Sequence, residues 1–244
     1  MIPDADLEAA RARLAATGRV RLPNFFKKGG VIEGVESVHA AMTDPAMVWN
    51  RAIRNPYNAD VPVAVFESEP ITEQMRLIGM AHEEATDGFQ FIYDRLRLGP
   101  ARAMGLKAPE ALYDLHDLLN GPAFLDLARR LTRDDRIAYV DAQATRYLPG
   151  HFLNGHDDRH EGAGRLYAYV LNVSPAWRAE WGGLLMFQDD SGDVTETFVP
   201  AAGTLNVFRV PQAHAVSMVA PFAGAPRYSV TGWWRTEPPP QSGA

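Results

Sequence analysis

Leu7, Ala10, Arg11 and Leu14 recur at helical spacing, so Asp4 to Ala16 is predicted to form an amphipathic helix. Arg19 to Leu22 then alternates polar and apolar like a strand. Val31 to Met42 predicts a second helix, with Ile32, Val35, Val38 and His39 along one stripe. Val48 to Phe66 mixes aromatic and β-branched residues around Asn55-Pro56 and reads as edge strands or a loop over the core. Thr72 to Leu98 reads as largely helical, interrupted at Gly88 and ended by Pro100. Ala108 to Leu119 and Ala123 to Leu131 read as two shorter helices around Gly121-Pro122.

From Ile137 the pattern changes to short strands. Ile137 to Leu148 opens them, and Arg165 to Asn172 is rich in aromatic and β-branched residues. Gly182 to Phe187, Thr195 to Val199, Thr204 to Phe208, His214 to Val219 and Arg227 to Trp234 follow, each bounded by Gly, Pro, Asp or Asn. Even spacing of short strands predicts two antiparallel sheets folded as a sandwich or jelly roll. The fold class is therefore mainly β with helical support (α+β). Residues 1–236 are expected to form a single domain, with 1–135 mostly helical and 136–236 the β core. The Pro-rich stretch 237–244 is expected to be a disordered tail.

Composition narrows the chemistry. The chain has 244 residues, a formal charge of -6 and no visible basic stripe, so nucleic acid is a poor partner. It has no cysteine, which excludes disulfides, thiolate metal sites and iron–sulfur clusters. No signal segment or membrane-length apolar run is visible, so the cytoplasm is the expected location. Oligomeric state is not readable.

Candidate chemistry lies in the β-rich half. His156 and Asp158 are two apart, and in a strand such residues share a face while Asp157 points away. His214 stands on a late predicted strand. Two imidazoles and one carboxylate hold one face of an octahedral iron and leave three positions open. Arg227 lies on the next strand, where a buried guanidinium can fork onto a dicarboxylate. Arg227, Ser229, Thr231 and Trp233 share one face of that strand, and Val230 and Trp234 the other. Each residue also has a structural reading. His156 and Asp158 could be a surface pair, and His214 a satisfied core histidine. Arg227 could form a salt bridge with Asp189, Asp190 or Asp193. Gly182-Gly183 reads as a backbone device permitting a bulge or close sheet approach.

Taken together, Tyr147, His156-Asp-Asp158, Tyr169-Val-Leu-Asn172, Trp181-Gly182-Gly183-Leu-Leu-Met-Phe187, Pro200-Ala-Ala-Gly203-Thr-Leu-Asn-Val-Phe208, His214-Ala-Val216 and Arg227-Tyr-Ser229 follow one pattern. The stretch Tyr147 to Arg235 resembles the double-stranded β-helix core of 2-oxoglutarate/iron(II) dioxygenases, in their prolyl-hydroxylase-like branch. The resemblance implies iron(II) held by His156, Asp158 and His214, with 2-oxoglutarate as cosubstrate and O2 as oxidant. It admits ascorbate as a reductant. It implies that the far carboxylate of 2-oxoglutarate pairs with Arg227, with the Tyr147 and Ser229 hydroxyls nearby. No catalytic side chain beyond the metal ligands is assigned. Trp233 otherwise reads as wall packing and Arg165 as a solvent charge, and either could border the substrate pocket. The implied reaction hydroxylates an unactivated C–H bond of a prolyl residue, in a peptide or protein, or of a small amino-acid-like substrate. A cupin-type metal enzyme without 2-oxoglutarate and a noncatalytic jelly-roll binding module stay open as alternatives, because fold and metal do not fix function.

Overall fold

The computed structural model describes residues 3–26, 34–54 and 59–238. In chain order the helices are α1 (Asp4–Thr17), α2 (Val35–Thr43), α3 (Val63–Ser68), α4 (Ile71–Glu84), α5 (Leu98–Ala103), α6 (Glu110–Asn120) and α7 (Pro122–Thr132). The early strands are β1 (Arg19–Leu22), β2 (Asn50–Ile53), β3 (Ala59–Pro62) and β4 (Phe91–Arg97). The later ones are β5 (Tyr139–Val140), β6 (Gln143–Tyr147), β7 (Phe152–His156), β8 (Arg165–Asn172) and β9 (Leu185–Gln188). They continue with β10 (Val194–Phe198), β11 (Leu205–Arg209), β12 (His214–Val216) and β13 (Arg227–Arg235).

The strands pair antiparallel along one path, β1-β11-β8-β13-β6-β4-β7-β12-β9-β10, which curls over on itself. The turn of the curl lies in β4. Its Asp94–Arg97 half pairs with β6, and Phe91 and Ile92 pair with β7. The short layer β7-β12-β9-β10 thereby faces the long one, with Phe187 of β9 packed edge-on against Phe208 of β11 at 5.2 Å. This is the double-stranded β-helix architecture expected of the chain.

The helices cover the outer face of the long layer. Leu7 and Leu14 of α1, Val38 and Met42 of α2, Leu112, Leu115 and Leu119 of α6, and Phe124 and Leu131 of α7 join Tyr169, Val207, Val230 and Trp234 in one buried cluster. Each helix buries positions three or four apart, which is why the sequence pattern marked them. Burial of a side chain such as Trp234, 1% exposed, contributes on the order of 3 kcal/mol. Val230 and Trp234 thus point away from the barrel interior, as the alternation on β13 predicted.

Two polar devices hold the roll in shape. Arg51, Asp94 and Arg146 stand directly opposite one another on β2, β4 and β6. The Asp94 carboxylate, 0% exposed, accepts from Arg51 Nε at 2.7 Å and from Arg146 Nη2 at 2.7 Å. At the open end, Arg13 and Arg19 both pair with Glu196, so α1 and β1 are tied to β10 of the facing layer.

The structure corrects one expectation in this half. The segment read as helix through Leu98 ends its helix at Glu84, and Phe91–Arg97 is a strand buried between β2, β6 and β7. Of the expected edge strands in Val48 to Phe66, β3 is an edge, whereas β2 is paired on both sides, by β3 and β4, and the short helix α3 follows. Residues 31–33 of the second expected helix, Asn55-Pro56, and 239–244 of the expected tail lie outside the described residues. No helix among the described residues is long and apolar enough to cross a membrane.

Candidate active site

His156 ends β7 and His214 opens β12, and the two face each other directly in the register of that pair. Their rings lie 4.1 Å apart, centroid to centroid. Asp158 follows two residues after His156, but not on a continuing strand. The strand stops at His156, and Asp158 takes a left-handed conformation with φ +62°. That turn swings its carboxylate back between the imidazoles. Oδ1 lies 3.5 Å from His156 Nε2, and Oδ2 lies 3.6 Å from His214 Nε2. The structure thus brings together the two residues that alternation paired, by a turn rather than by a continuing strand. Asp157 is not part of the cluster, and its carboxylate accepts the Arg159 backbone N–H.

These three side chains form the one metal-competent cluster found among the described residues. The orientation of both imidazoles fits a cation. His156 Nδ1 and His214 Nδ1 each lie 2.8 Å from the backbone carbonyl two residues upstream, Asn154 O and Gln212 O. A carbonyl only accepts, so Nδ1 carries the proton and Nε2 presents its lone pair to the cluster. Burial, aided by the neighbouring His156, pushes the His214 imidazole down to about 4, so it stays neutral. For Asp158, burial alone would push the carboxyl up. Its contacts with the His156 and His214 rings outweigh that and hold it below the usual carboxylate range.

The cluster opens on a cavity of about 380 Å³ between the two layers. Arg227 lines it from the start of β13 and is 1% exposed. Its Nε has no hydrogen-bond partner, and no carboxylate of the described residues pairs with it. The salt bridge to Asp189, Asp190 or Asp193 is not made. Burial pushes the guanidinium below its ordinary value, and only the Tyr147 ring, 5.1 Å beneath it, offers compensation. Tyr147 is buried, and that burial pushes its phenol up, so it remains a neutral donor. Ser229 shares Arg227's strand face and is fully buried, but its hydroxyl is 2.8 Å from that of Thr145.

Arg165 and Trp233 also line the cavity. Arg165 is not a solvent charge. Its guanidinium lies 3.7 Å over the Trp233 ring, and Nη1 donates to the Asp158 carbonyl. Trp233 lines the cavity and also packs against the buried cluster of Ala168, Leu185 and Phe208.

Sequence reading missed Phe89, Phe91, Tyr93, Arg95 and Gln143, which complete the lining. Phe89, Phe91, Tyr93 and Arg95 stand at every second position, a strand signal hidden by the helical assignment of that segment. Tyr93 stacks on Tyr147 at 5.0 Å and 8°, and Arg95 holds the Tyr93 hydroxyl at 3.1 Å while pairing with Asp60.

Residues 142–235 match the family model of the 2OG-Fe(II) oxygenase superfamily. That match covers the β core and not the helical first half. A search of curated proteins finds no match. Among solved structures, a Pseudomonas putida prolyl-4-hydroxylase is similar over 95% of this chain and 100% of its own, at 19% identity and TM-score 0.58. A Trichoplax adhaerens prolyl hydroxylase, in complex with a peptide fragment of hypoxia-inducible factor, is similar over 96% and 91%, at 15% identity and TM-score 0.55. An epimerase of nogalamycin biosynthesis, in complex with Fe3+, α-ketoglutarate and nogalamycin RO, is similar over 99% and 93%, at 14% identity and TM-score 0.54. At such identities the likeness is one of fold. The matched region contains the His156, Asp158 and His214 cluster and Arg227, and is similar to enzymes described as 2OG-Fe(II) oxygenases.

Proposed function

We propose that this oxygenase hydroxylates an unactivated C–H bond of a prolyl residue or an amino-acid-like molecule, releasing succinate and CO2. The observation that carries the 2-oxoglutarate half is Arg227, a fully buried guanidinium without a counter-ion, in the cavity that holds the His156, Asp158 and His214 cluster. An uncompensated buried charge costs several kcal/mol, and a ligand carboxylate offsets that cost. A cupin-type enzyme without a dicarboxylate cosubstrate, or a neutral-ligand binding module, leaves this feature without a purpose.

In this reading His156 Nε2, His214 Nε2 and the Asp158 carboxylate hold iron. Iron bound there would supply oxygen activation, coupled to oxidative decarboxylation of 2-oxoglutarate. Arg227 forks onto the far carboxylate, and the Tyr147 phenol donates beside it. Leu185, Val216 and Phe208 wall the cavity and keep water from the reacting groups. No side chain is placed to act as a general base, and the reaction needs none. The prolyl assignment is supported by the sequence resemblance and by the two prolyl hydroxylases of similar fold, whereas the epimerase shows that the fold serves other reactions.

The test is to incubate enzyme, iron(II) and 2-oxoglutarate with free proline, proline-containing peptides and a lysate. Succinate release with a one-oxygen mass gain on proline is expected. Turnover driven by another substrate, with no gain on any proline, removes the prolyl assignment and leaves the oxygenase.

A further inference from the structure

Four guanidiniums line the cavity, those of Arg95, Arg159, Arg165 and Arg227. The only acids in its lining are Asp157 and Asp158. Asp158 belongs to the metal cluster, and Asp157 pairs with Arg159 at 3.4 Å. Arg95 pairs with Asp60 at 2.7 Å. Arg227 and Arg165 make no ion pair with any described residue, although the Asp158 and Asp141 carboxylates act on Arg165 from farther off. Cosubstrate accounts for the first. It does not reach the second. Trp233, under the Arg165 guanidinium, is six strand residues along β13 from Arg227, which is about 20 Å between Cα atoms at roughly 3.3 Å per residue. A five-carbon dicarboxylate held at Arg227 is far shorter than that separation.

Arg165 is poised as an anion receptor. An arginine has five N–H donors in a rigid fork. Here Nη1 donates to one neutral acceptor, the Asp158 carbonyl, and Nε is buried with no partner. No carboxylate of the described residues lies within ion-pair distance of Arg165. Stacking at 3.7 Å on Trp233 fixes the plane of the fork before any ligand arrives. The neighbouring polar lining is neutral, with Gln143 Nε2 donating to Thr231 Oγ1. Across the metal cluster, Phe89 lies 5.4 Å from the His156 ring and supplies an apolar wall.

We infer that the substrate carries a carboxylate, which Arg165 binds while its aliphatic part lies beside Phe89 and the metal cluster. This rests on the oxygenase reading above and deepens it. A free amino or imino acid, another small carboxylic acid and the free C-terminus of a peptide all present this group. An internal prolyl residue flanked by neutral amides does not.

The experiment pairs acids with their amides. Amino and imino acids, N-acyl amino acids and peptides with free C-termini are each matched to the primary amide. Succinate release by the iron(II)- and 2-oxoglutarate-loaded enzyme is followed for every pair. For accepted pairs, binding to the same complex under nitrogen is measured by calorimetry, which needs no turnover. Acceptors are expected among the acids, with the matching amide at least tenfold lower in both kcat/KM and affinity. R165Q should cut the acid-to-amide ratio to within about twofold, and R165K should keep part of it. A residue that only positioned Asp158 would change metal binding and leave that ratio intact. The inference is overturned if amides equal acids, if only neutral peptides are accepted, if no acid is accepted, or if R165Q keeps the ratio. Anaerobic calorimetry of 2-oxoglutarate with the iron-loaded protein tests the underlying reading separately, so the two can fail independently.

Discussion

At the residue scale, the two aspartates after His156 divide by backbone conformation. Asp158 sits at φ +62°, which Asp and Asn tolerate better than other non-glycine residues. D158N is therefore the clean test, removing the charge and keeping the turn, whereas alanine adds strain of about 1–2 kcal/mol. Calorimetry should show D158N without stoichiometric iron(II) binding and D157A close to the unaltered protein. Equal loss in both would place the carboxylate ligand elsewhere. Arg227→Ala should raise the 2-oxoglutarate dissociation constant by roughly two decades or more, on the order of 3–5 kcal/mol, and leave metal affinity nearly unchanged. Lysine should rescue only in part, because an ammonium lacks the fork. His151, 3% exposed, gives a pH prediction. Burial pushes its imidazole down to about 4 from 6.5. Between those values the unfolded chain binds the proton and the folded one does not, so stability falls as pH falls through that window. Urea unfolding of metal-free protein should show about 2 kcal/mol of this loss between pH 7 and pH 5 from His151 alone, absent in H151Q. The convergence of His156, Asp158 and His214 was legible because it rests on residue types in order. The Asp158 turn was not, since nothing in His-Asp-Asp announces where a strand stops.

At the scale of elements, period and punctuation found most strands and most helices. They failed at β4. That segment was read as helix, yet it is a strand whose Asp94 is buried because its two arginine partners come from β2 and β6. A charge neutralised by residues distant in sequence cannot be read from its own neighbours. Gly182-Gly183 was readable as a backbone device, and the structure shows its purpose. Gly182 lies at φ +69° and ψ -147°, a region open essentially to glycine alone, and a Cβ there would collide with the Met218 carbonyl oxygen. A Cβ on Gly183 would stand 2.9 Å from Arg227 Cδ. The two alanine variants should therefore separate. G182A should destabilise by about 1–3 kcal/mol in urea unfolding. G183A should also displace Arg227 and weaken 2-oxoglutarate binding, with iron binding retained. Identical behaviour in both assays would mean that the pair acts only on the fold.

At the scale of the molecule, the jelly roll and its helical cover were legible from strand spacing. The way the first half enters the sheet was not, because pairing partners are set by the curl rather than by local pattern. β4 lies inside the strand path and β1 forms one end of it, beside β11, with Arg19 opposite Phe208. This has a consequence for synthesis. A chain emerging from the ribosome makes β4 before either β6 or β7 exists, and β1 before almost everything else. The earliest segment must wait for one of the last, with Arg13 and Arg19 unpaired until Glu196 arrives. Contacts so far apart in sequence fold slowly and leave apolar strands exposed meanwhile. Ribosome-bound chains that end before Leu205 should therefore be cut rapidly by protease throughout their first half. Chains extended past Arg235 by a linker long enough to clear the exit tunnel should resist, and protection of the first half in the shorter chains would show that it folds before its partners are made.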